Sequence, residues 1–155
     1  MPPAIAIAAS AAERFVVDRS GPGWRLWRDT AAEWKSDELH FPAPPLAQLP
    51  VNPPSGGWDG AITTAAVPVR VPGTVEEYFQ KTPGPDGDLT GVSWWTRSFD
   101  IPAADGPRRV LLRFESVRER VEVFVNRRLV AYDVVGSTPF EADITAFVRP
   151  GERCE

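Results

Sequence analysis

An all-β fold, two antiparallel sheets packed as a sandwich, is the fold class this sequence predicts. The first observation is four β-rich runs, at residues 93–101, 110–114, 121–125 and 129–134, each separated from the next by a few turn-forming or charged residues. The second is a side-chain period of two: Val110, Leu112 and Phe114 share one face, and Val121, Val123 and Val125 face away from Glu122 and Phe124. The third is that no long amphipathic helix lies between these runs, which disfavours a Rossmann or α/β-barrel layout. The 17 prolines and six tryptophans of the 155 residues agree, since proline interrupts helices and collects in loops and sheet edges.

In chain order, residues 1–12 are small and apolar, but no Lys or Arg precedes them as in a signal peptide. They also fall far short of the roughly 20 apolar residues of a membrane-spanning helix, so a frayed leader over 1–13 is expected. Phe15, Val16 and Val17 predict a short strand over 14–18, closed by a Ser20-Gly21-Pro22-Gly23 turn, and a second strand runs over 24–28. Thr30-Ala31-Ala32-Glu33 and Thr74-Val75-Glu76-Glu77 both have the spacing of a capping box. Each predicts a short helical turn inside a loop, the first including Trp34 and the second Tyr78 and Phe79.

Between them, six of the 13 residues over 42–54 are proline, which makes this stretch wrapping rather than sheet. A polyproline-II ligand would need an exposed PxxP, which Pro42-Ala43-Pro44-Pro45 with Pro50 offers only weakly. Asn126-Arg127-Arg128 closes a hairpin between the third and fourth runs.

Composition excludes several functions. A hydrophobic content of 43% with 25% charged residues is that of a folded globular chain of about one domain. The net charge of -4 and the scattered arginine doublets give no basic face for nucleic acid. Cys154 is the only cysteine and His40 the only histidine, so neither a disulfide, nor a structural zinc site, nor a Cys/His dyad can be assembled within the chain. No phosphate loop, dinucleotide fingerprint or Gly-x-Ser-x-Gly elbow is present, and no cofactor is expected.

Glycoside hydrolysis needs two carboxylates about 5 to 10 Å apart, one protonated and one ionised. Glu141 and Asp143 stand two apart on one face of a strand, but their surroundings read as a strand ending in a capped turn rather than a catalytic pair. Trp94 and Trp95 are consecutive in a strand and must point to opposite faces. One enters the inter-sheet core; the other is covered by the wrapping over 24–58, serves a docking surface, or stacks on a sugar. Trp95 is carried as a candidate substrate-binding residue.

Five ordered segments carry a resemblance. They are Val71-Pro72-Gly73-Thr74; Gly91-Val92-Ser93-Trp94-Trp95-Thr96-Arg97-Ser98-Phe99-Asp100-Ile101-Pro102; Val110-Leu111-Leu112-Arg113-Phe114-Glu115-Ser116-Val117; Val121-Glu122-Val123-Phe124-Val125-Asn126 with Leu129-Val130-Ala131-Tyr132; and Gly136-Ser137-Thr138-Pro139-Phe140-Glu141-Ala142-Asp143-Ile144-Thr145. Together they resemble the N-terminal sugar-binding domain of family 2 glycoside hydrolases, the β-galactosidase, β-glucuronidase and β-mannosidase group.

The resemblance implies a galactose-binding-domain-like jelly-roll sandwich over 14–155 with short helical turns in its loops. It also implies a following immunoglobulin-like domain and a (β/α)₈ barrel, which holds the two catalytic glutamates of a retaining mechanism. Those glutamates have no counterpart in this chain. In β-galactosidases an Asn three residues before the matching glycine reaches the substrate pocket; Asp88 holds that position here and becomes the second candidate substrate-binding residue.

Two departures are visible. Arg127 stands where the family has glycine, so a longer or bulged turn is expected. After Pro150-Gly151-Glu152 the family continues into another apolar strand, where this sequence reads Arg153-Cys154-Glu155, so the sandwich is expected to lack its last strand.

Three functions follow: an accessory domain of a retaining glycosidase, whose partner is the absent barrel; a free-standing carbohydrate-binding module; or an interaction module docking through its tryptophan-rich face. The first expects at most weak carbohydrate binding by this chain alone, with no nucleic acid or membrane partner.

Overall fold

The structure, a computed structural model, describes residues 14–33, 39–79, 89–103 and 108–155. Among the described residues, nine strands appear in the order β1 (Gly21–Asp29), β2 (Val67–Val71), β3 (Val92–Thr96), β4 (Phe99–Asp100), β5 (Leu111–Phe114), β6 (Val121–Val125), β7 (Arg128–Asp133), β8 (Phe140–Asp143) and β9 (Arg153–Cys154). Two short helices, α1 (Ala61–Thr64) and α2 (Val75–Phe79), lie in the loops around β2. Every pairing is antiparallel: a three-stranded sheet β2-β1-β3, and the ladders β4-β9, β5-β8 and β6-β7. The chain is thus the all-β jelly-roll sandwich expected, with helix confined to loops.

The period-two reading holds on β5 and β6. Val123 and Val125 enter one apolar core with Ile101, Val130, Ala142, Ile144 and Cys154, and Val110, Leu112, Phe114 and Val121 pack at its margin. Ile144 and Leu26 are fully buried. Phe114 stacks on Phe140, its register partner on β8, with ring centroids 4.9 Å apart. Such cross-strand aromatic pairs contribute beyond their buried area.

Several expectations are corrected. No strand forms over 14–18; Phe15 and Val16 are exposed, because no strand among the described residues pairs with them. The carbonyls that follow are taken by side chains instead. Arg19 accepts from the Trp24 indole and from Arg97, and Arg97 also reaches the Ser20 carbonyl.

Ser20-Gly21-Pro22-Gly23 is not a turn. Gly21 already pairs with Val71 as the first residue of β1, and the glycines absorb a register shift between Pro22 and Trp24, both at positive φ. Of the two helical turns predicted by capping-box spacing, the second forms as α2, which includes Tyr78 and Phe79. At the first, residues 30–31 form a turn closed by the Ala32 amide on the Asp29 carbonyl, and Trp34 lies outside the described residues.

The run over 93–101 is two strands, β3 and β4, parted at Arg97-Ser98. The hairpin turn is not lengthened. Asn126 (φ 49°) and Arg127 (φ 67°) form a two-residue loop closed by the Val125–Arg128 pair, with both central residues left-handed as a primed turn requires. The bulge falls further along, where Val130 is skipped between the Val123–Ala131 and Phe124–Leu129 pairs. Arg127 in this conformation costs on the order of 1 kcal/mol. Its two contacts to Asp59, at 2.6 and 3.1 Å, tie the turn to the loop carrying Trp58.

Gly73, in the Val-Pro-Gly-Thr segment, has a steric rather than a conformational reason. A Cβ there would stand 2.8 Å from the Arg70 carbonyl oxygen. At the far end, Arg153 and Cys154 pair with Asp100 and Phe99, and the Asn126 side chain accepts the Glu155 amide while donating to the Phe147 carbonyl.

Candidate functional site

The consecutive tryptophans separate as strand geometry demands. Trp94 lies opposite Trp27 on β1, and Trp95 lies opposite the fully buried Leu26. On the Trp94 face, Trp58 packs edge-on against Trp94 (5.5 Å) and Phe124 (5.1 Å). This seats the loop ahead of α1 on the side of β6 that faces away from the apolar core. The Trp94 indole donates to Asp29 Oδ2 at 3.2 Å, and the Ser55 amide donates to the same oxygen at 2.8 Å. Trp94 is therefore half-buried, covered by Trp58 and hydrogen-bonded to Asp29.

Trp95 is half-buried on the opposite face. Its ring meets the edge of Tyr78 on α2 at 6.5 Å, and its indole donates to Ser93 Oγ at 3.2 Å. Tyr78 is fixed in turn by its hydroxyl, which accepts the Arg70 amide at 2.9 Å. Glu76, also on α2, accepts the Leu89 amide at 2.9 Å and so gathers the chain where it re-enters β3. Its own backbone amide, the Leu89 amide and the Thr74 hydroxyl hold its carboxyl below the usual range. The glutamate that bonds Thr74 is thus Glu76, one residue earlier than the capping-box spacing predicts. Asp88 lies outside the described residues, and Trp95 stands on the strand that follows it.

Glu141 and Asp143 do share a face of β8, and both are committed to arginines. Glu141 meets Arg113 at 3.4 Å, and Asp143 accepts two bonds from Arg109, at 2.9 and 3.1 Å. Asp143 also accepts from the Thr145 hydroxyl (2.6 Å) and amide (3.1 Å), which opens the 3-10 turn Thr145–Phe147. The Thr145 bonds, followed by Arg109, lower its pKa to about 2. A carboxyl held ionised in this way cannot serve as a proton donor near neutral pH.

A pH dependence follows. Asp143 is depressed in the folded state, so its contribution to stability is present above its ordinary carboxylate range and is lost as pH falls towards about 2. The carboxyl resonance of Asp143 should titrate near 2, and Asp143→Asn should flatten the acid limb of stability against pH.

Sequence reasoning did not find a buried polar network on the outer face of the β6–β7 hairpin. Glu122 Oε1 accepts from Arg120 (3.0 Å) and from Asn52 Nδ2 (3.3 Å), and its side chain is 5% exposed. Tyr132, the register partner of Glu122, stacks under Arg120 and accepts the His40 amide at 3.0 Å. His40 is thereby structural, its ring edge-on to Tyr132. The proline-rich strap is pinned at both ends to one cross-strand pair. Only the alternation of Val121, Glu122, Val123 and Phe124 pointed to this face.

A shallow cavity of about 290 Å³ lies beside Asn126, Arg128, Phe147 and Arg149, and neither Trp95 nor Glu141 lines it. Arg128 stacks on Phe147 and Arg149 pairs with Glu152, and Arg153 lines it as well. Among the described residues, no group of three His, Cys, Asp or Glu could hold a metal ion, and no helix is long and apolar enough to cross a membrane.

Comparison with known proteins places this architecture. The family of glycosyl hydrolases family 2, sugar binding domain, matches residues 50–154. A β-glucuronidase of Formosa agariphila is 32% identical over 69 residues, 44% of this chain and 7% of that protein. A β-galactosidase of Thermoanaerobacter pseudethanolicus is 34% identical over 64 residues, 41% of this chain and 9% of that protein. Among solved structures, Faecalibacterium prausnitzii β-glucuronidase superposes with a TM-score of 0.54 at 30% identity, over 87% of this chain and 19% of that one. The chain thus spans about a tenth of the length of these curated relatives and under a fifth of the solved one. With a match over more than half its residues, carried by the β-rich half of the fold, the chain belongs to the sugar-binding-domain family of the family 2 glycosyl hydrolases.

Proposed function

We propose that this chain is the non-catalytic N-terminal sandwich of a glycosidase that hydrolyses O-glycosidic bonds, acting as an accessory to a catalytic barrel carried elsewhere. The observation that carries this reading is the commitment of Glu141 and Asp143. Both are ion-paired at the surface, and Asp143 is held ionised. An acid/base pair with one protonated member is therefore not formed there. The likeness to β-glucuronidases and β-galactosidases supports a parent enzyme of that reaction class.

Within that reading, Asp88 and Trp95 are the residues proposed to approach substrate; Leu89, next in sequence to Asp88, is held by its amide on Glu76. Trp95 is half-buried and lines no cavity among the described residues, whereas a sugar site buries most of its ligand, so sugar binding by this chain alone should be weak. Titration calorimetry with galactose, glucuronate and mannose is expected to show no micromolar affinity. Micromolar binding abolished by Trp95→Ala would instead make the chain a carbohydrate-binding module in its own right.

A further inference from the structure

The cavity beside Asn126 is assembled from three segments distant in sequence, and one side chain joins them. Asn126 lies in the β6–β7 turn; its Nδ2 donates to the Phe147 carbonyl at 3.1 Å, and its Oδ1 accepts the Glu155 amide at 3.2 Å. The hairpin turn, the 3-10 turn Thr145–Phe147 and the residue after β9 therefore meet at one residue. Both polar atoms of Asn126 are engaged in this way, so it frames the cavity and leaves ligand contacts to others.

Those others are basic. Arg128 from the start of β7, Arg149 from the loop after the 3-10 turn and Arg153 from β9 line the cavity, against one carboxylate, Glu152. Three positive charges against one negative leave a local excess of two, although the whole chain carries a net charge of -4. Glu152 is turned to Arg149, at 3.7 Å. Arg128 and Arg153 take part in no ion pair among the described residues, even though Arg153 has Asp100 as its register partner across the β4–β9 ladder. The Arg128 guanidinium lies over the Phe147 ring, 4.8 Å from its centroid. Stacking occupies one guanidinium face and restrains its plane, while the N–H edge stays available to an acceptor.

We propose that this cavity binds a small oxyanion carrying two or more negative charges, a phosphate or a di- or tricarboxylate. The charge excess sets the valence, since a monovalent anion would leave one guanidinium uncompensated. The N–H fork of a guanidinium sets the shape, because it matches the paired oxygens of carboxylate and phosphate and has no counterpart in a spherical ion such as chloride. The volume of about 290 Å³ sets the size: it lies at the lower bound of small-molecule sites, about 300 Å³, and so takes one small anion rather than an oligosaccharide. Trp95 does not line this site, and the inference holds whether or not the chain serves a glycosidase.

Titration of the 155-residue chain with inorganic phosphate and, separately, with citrate tests this, read on the arginine Nε–Hε resonances and compared with sodium chloride at matched ionic strength. The Arg128 and Arg153 resonances should shift saturably with at least one of the two oxyanions, and sodium chloride should not reproduce the shifts. Saturation by phosphate alone assigns the site to a phosphoryl group, and saturation by citrate alone to carboxylates. Arg153→Gln should weaken binding about tenfold, as the loss of a charge-assisted hydrogen bond does, and leave the melting temperature unchanged because the side chain is exposed. Glu152→Gln removes the one competing carboxylate and should tighten binding several-fold, a change that a folding defect would not imitate. Shifts of equal size in all three salts, or an affinity unaltered by Arg153→Gln, would overturn the site and leave these arginines as solvated surface charges.

Discussion

Replacing Glu122 by Ala should cost about 3–5 kcal/mol of folding stability, the loss expected when one partner of a buried ion pair is removed and the other is left in place. Glu122 and Arg120 have side chains only 5% and 10% exposed and lie 3.0 Å apart. The Asn52 side-chain amide shares the same carboxylate oxygen, so the substitution also releases that end of the strap. Glu122→Gln, which keeps the shape and one accepting oxygen, should lose distinctly less. Replacing Arg120 and Glu122 together with apolar residues of similar volume should come close to neutral, because both desolvation costs then disappear. Urea denaturation decides it: the midpoint should fall with the slope unchanged, and a shift worth under about 1 kcal/mol for Glu122→Ala would mean that solvent reaches the pair.

Ile144→Ala should have an effect of similar size by a different route. Ile144 is fully buried in the core that β5–β8 and β6–β7 share, and its amide closes on the Val110 carbonyl at 2.9 Å. Truncating a buried isoleucine costs about 2–5 kcal/mol, against about 5–15 kcal/mol for a whole domain. The melting temperature should drop by roughly 2–4 °C for each kcal/mol lost. Ile144→Val should cost about 0.5–1.5 kcal/mol. Equal losses for the two variants would show that the core relaxes around the cavity.

The contrast between these two sites shows what the sequence made legible. Ile144 sits in a segment read as a strand ending in a short capped turn, and the structure places it between β8 and the 3-10 turn Thr145–Phe147. The faces of Val121, Val123 and Val125 were equally plain, because a period of two is a local property. The polar network was hidden because its partners are distant in sequence: Asn52 and Glu122 are 70 residues apart, and His40 and Tyr132 are 92. No local pattern marks a carboxylate that will be buried by a proline-rich strap.

The misread start of the chain has the same origin. Phe15, Val16 and Val17 have strand propensity but no neighbour, whereas Gly21-Pro22-Gly23 looks like a turn and joins a ladder because β2 lies beside it. The tryptophan pair was legible in its opposition of faces. Which ring would be covered was not, since that depends on where Trp58 lands.

That this domain is not itself catalytic is the central proposal, and hydrolysis of nitrophenyl glycosides by the purified 155-residue chain tests it most directly. No turnover above background is expected with any β-glycoside of the panel, because Glu141 and Asp143 are held by Arg113 and Arg109 and do not form an acid/base pair. A rate that survives repurification and is abolished by Glu141→Ala or Asp143→Ala would contradict it and place a glycosidase active site on β8.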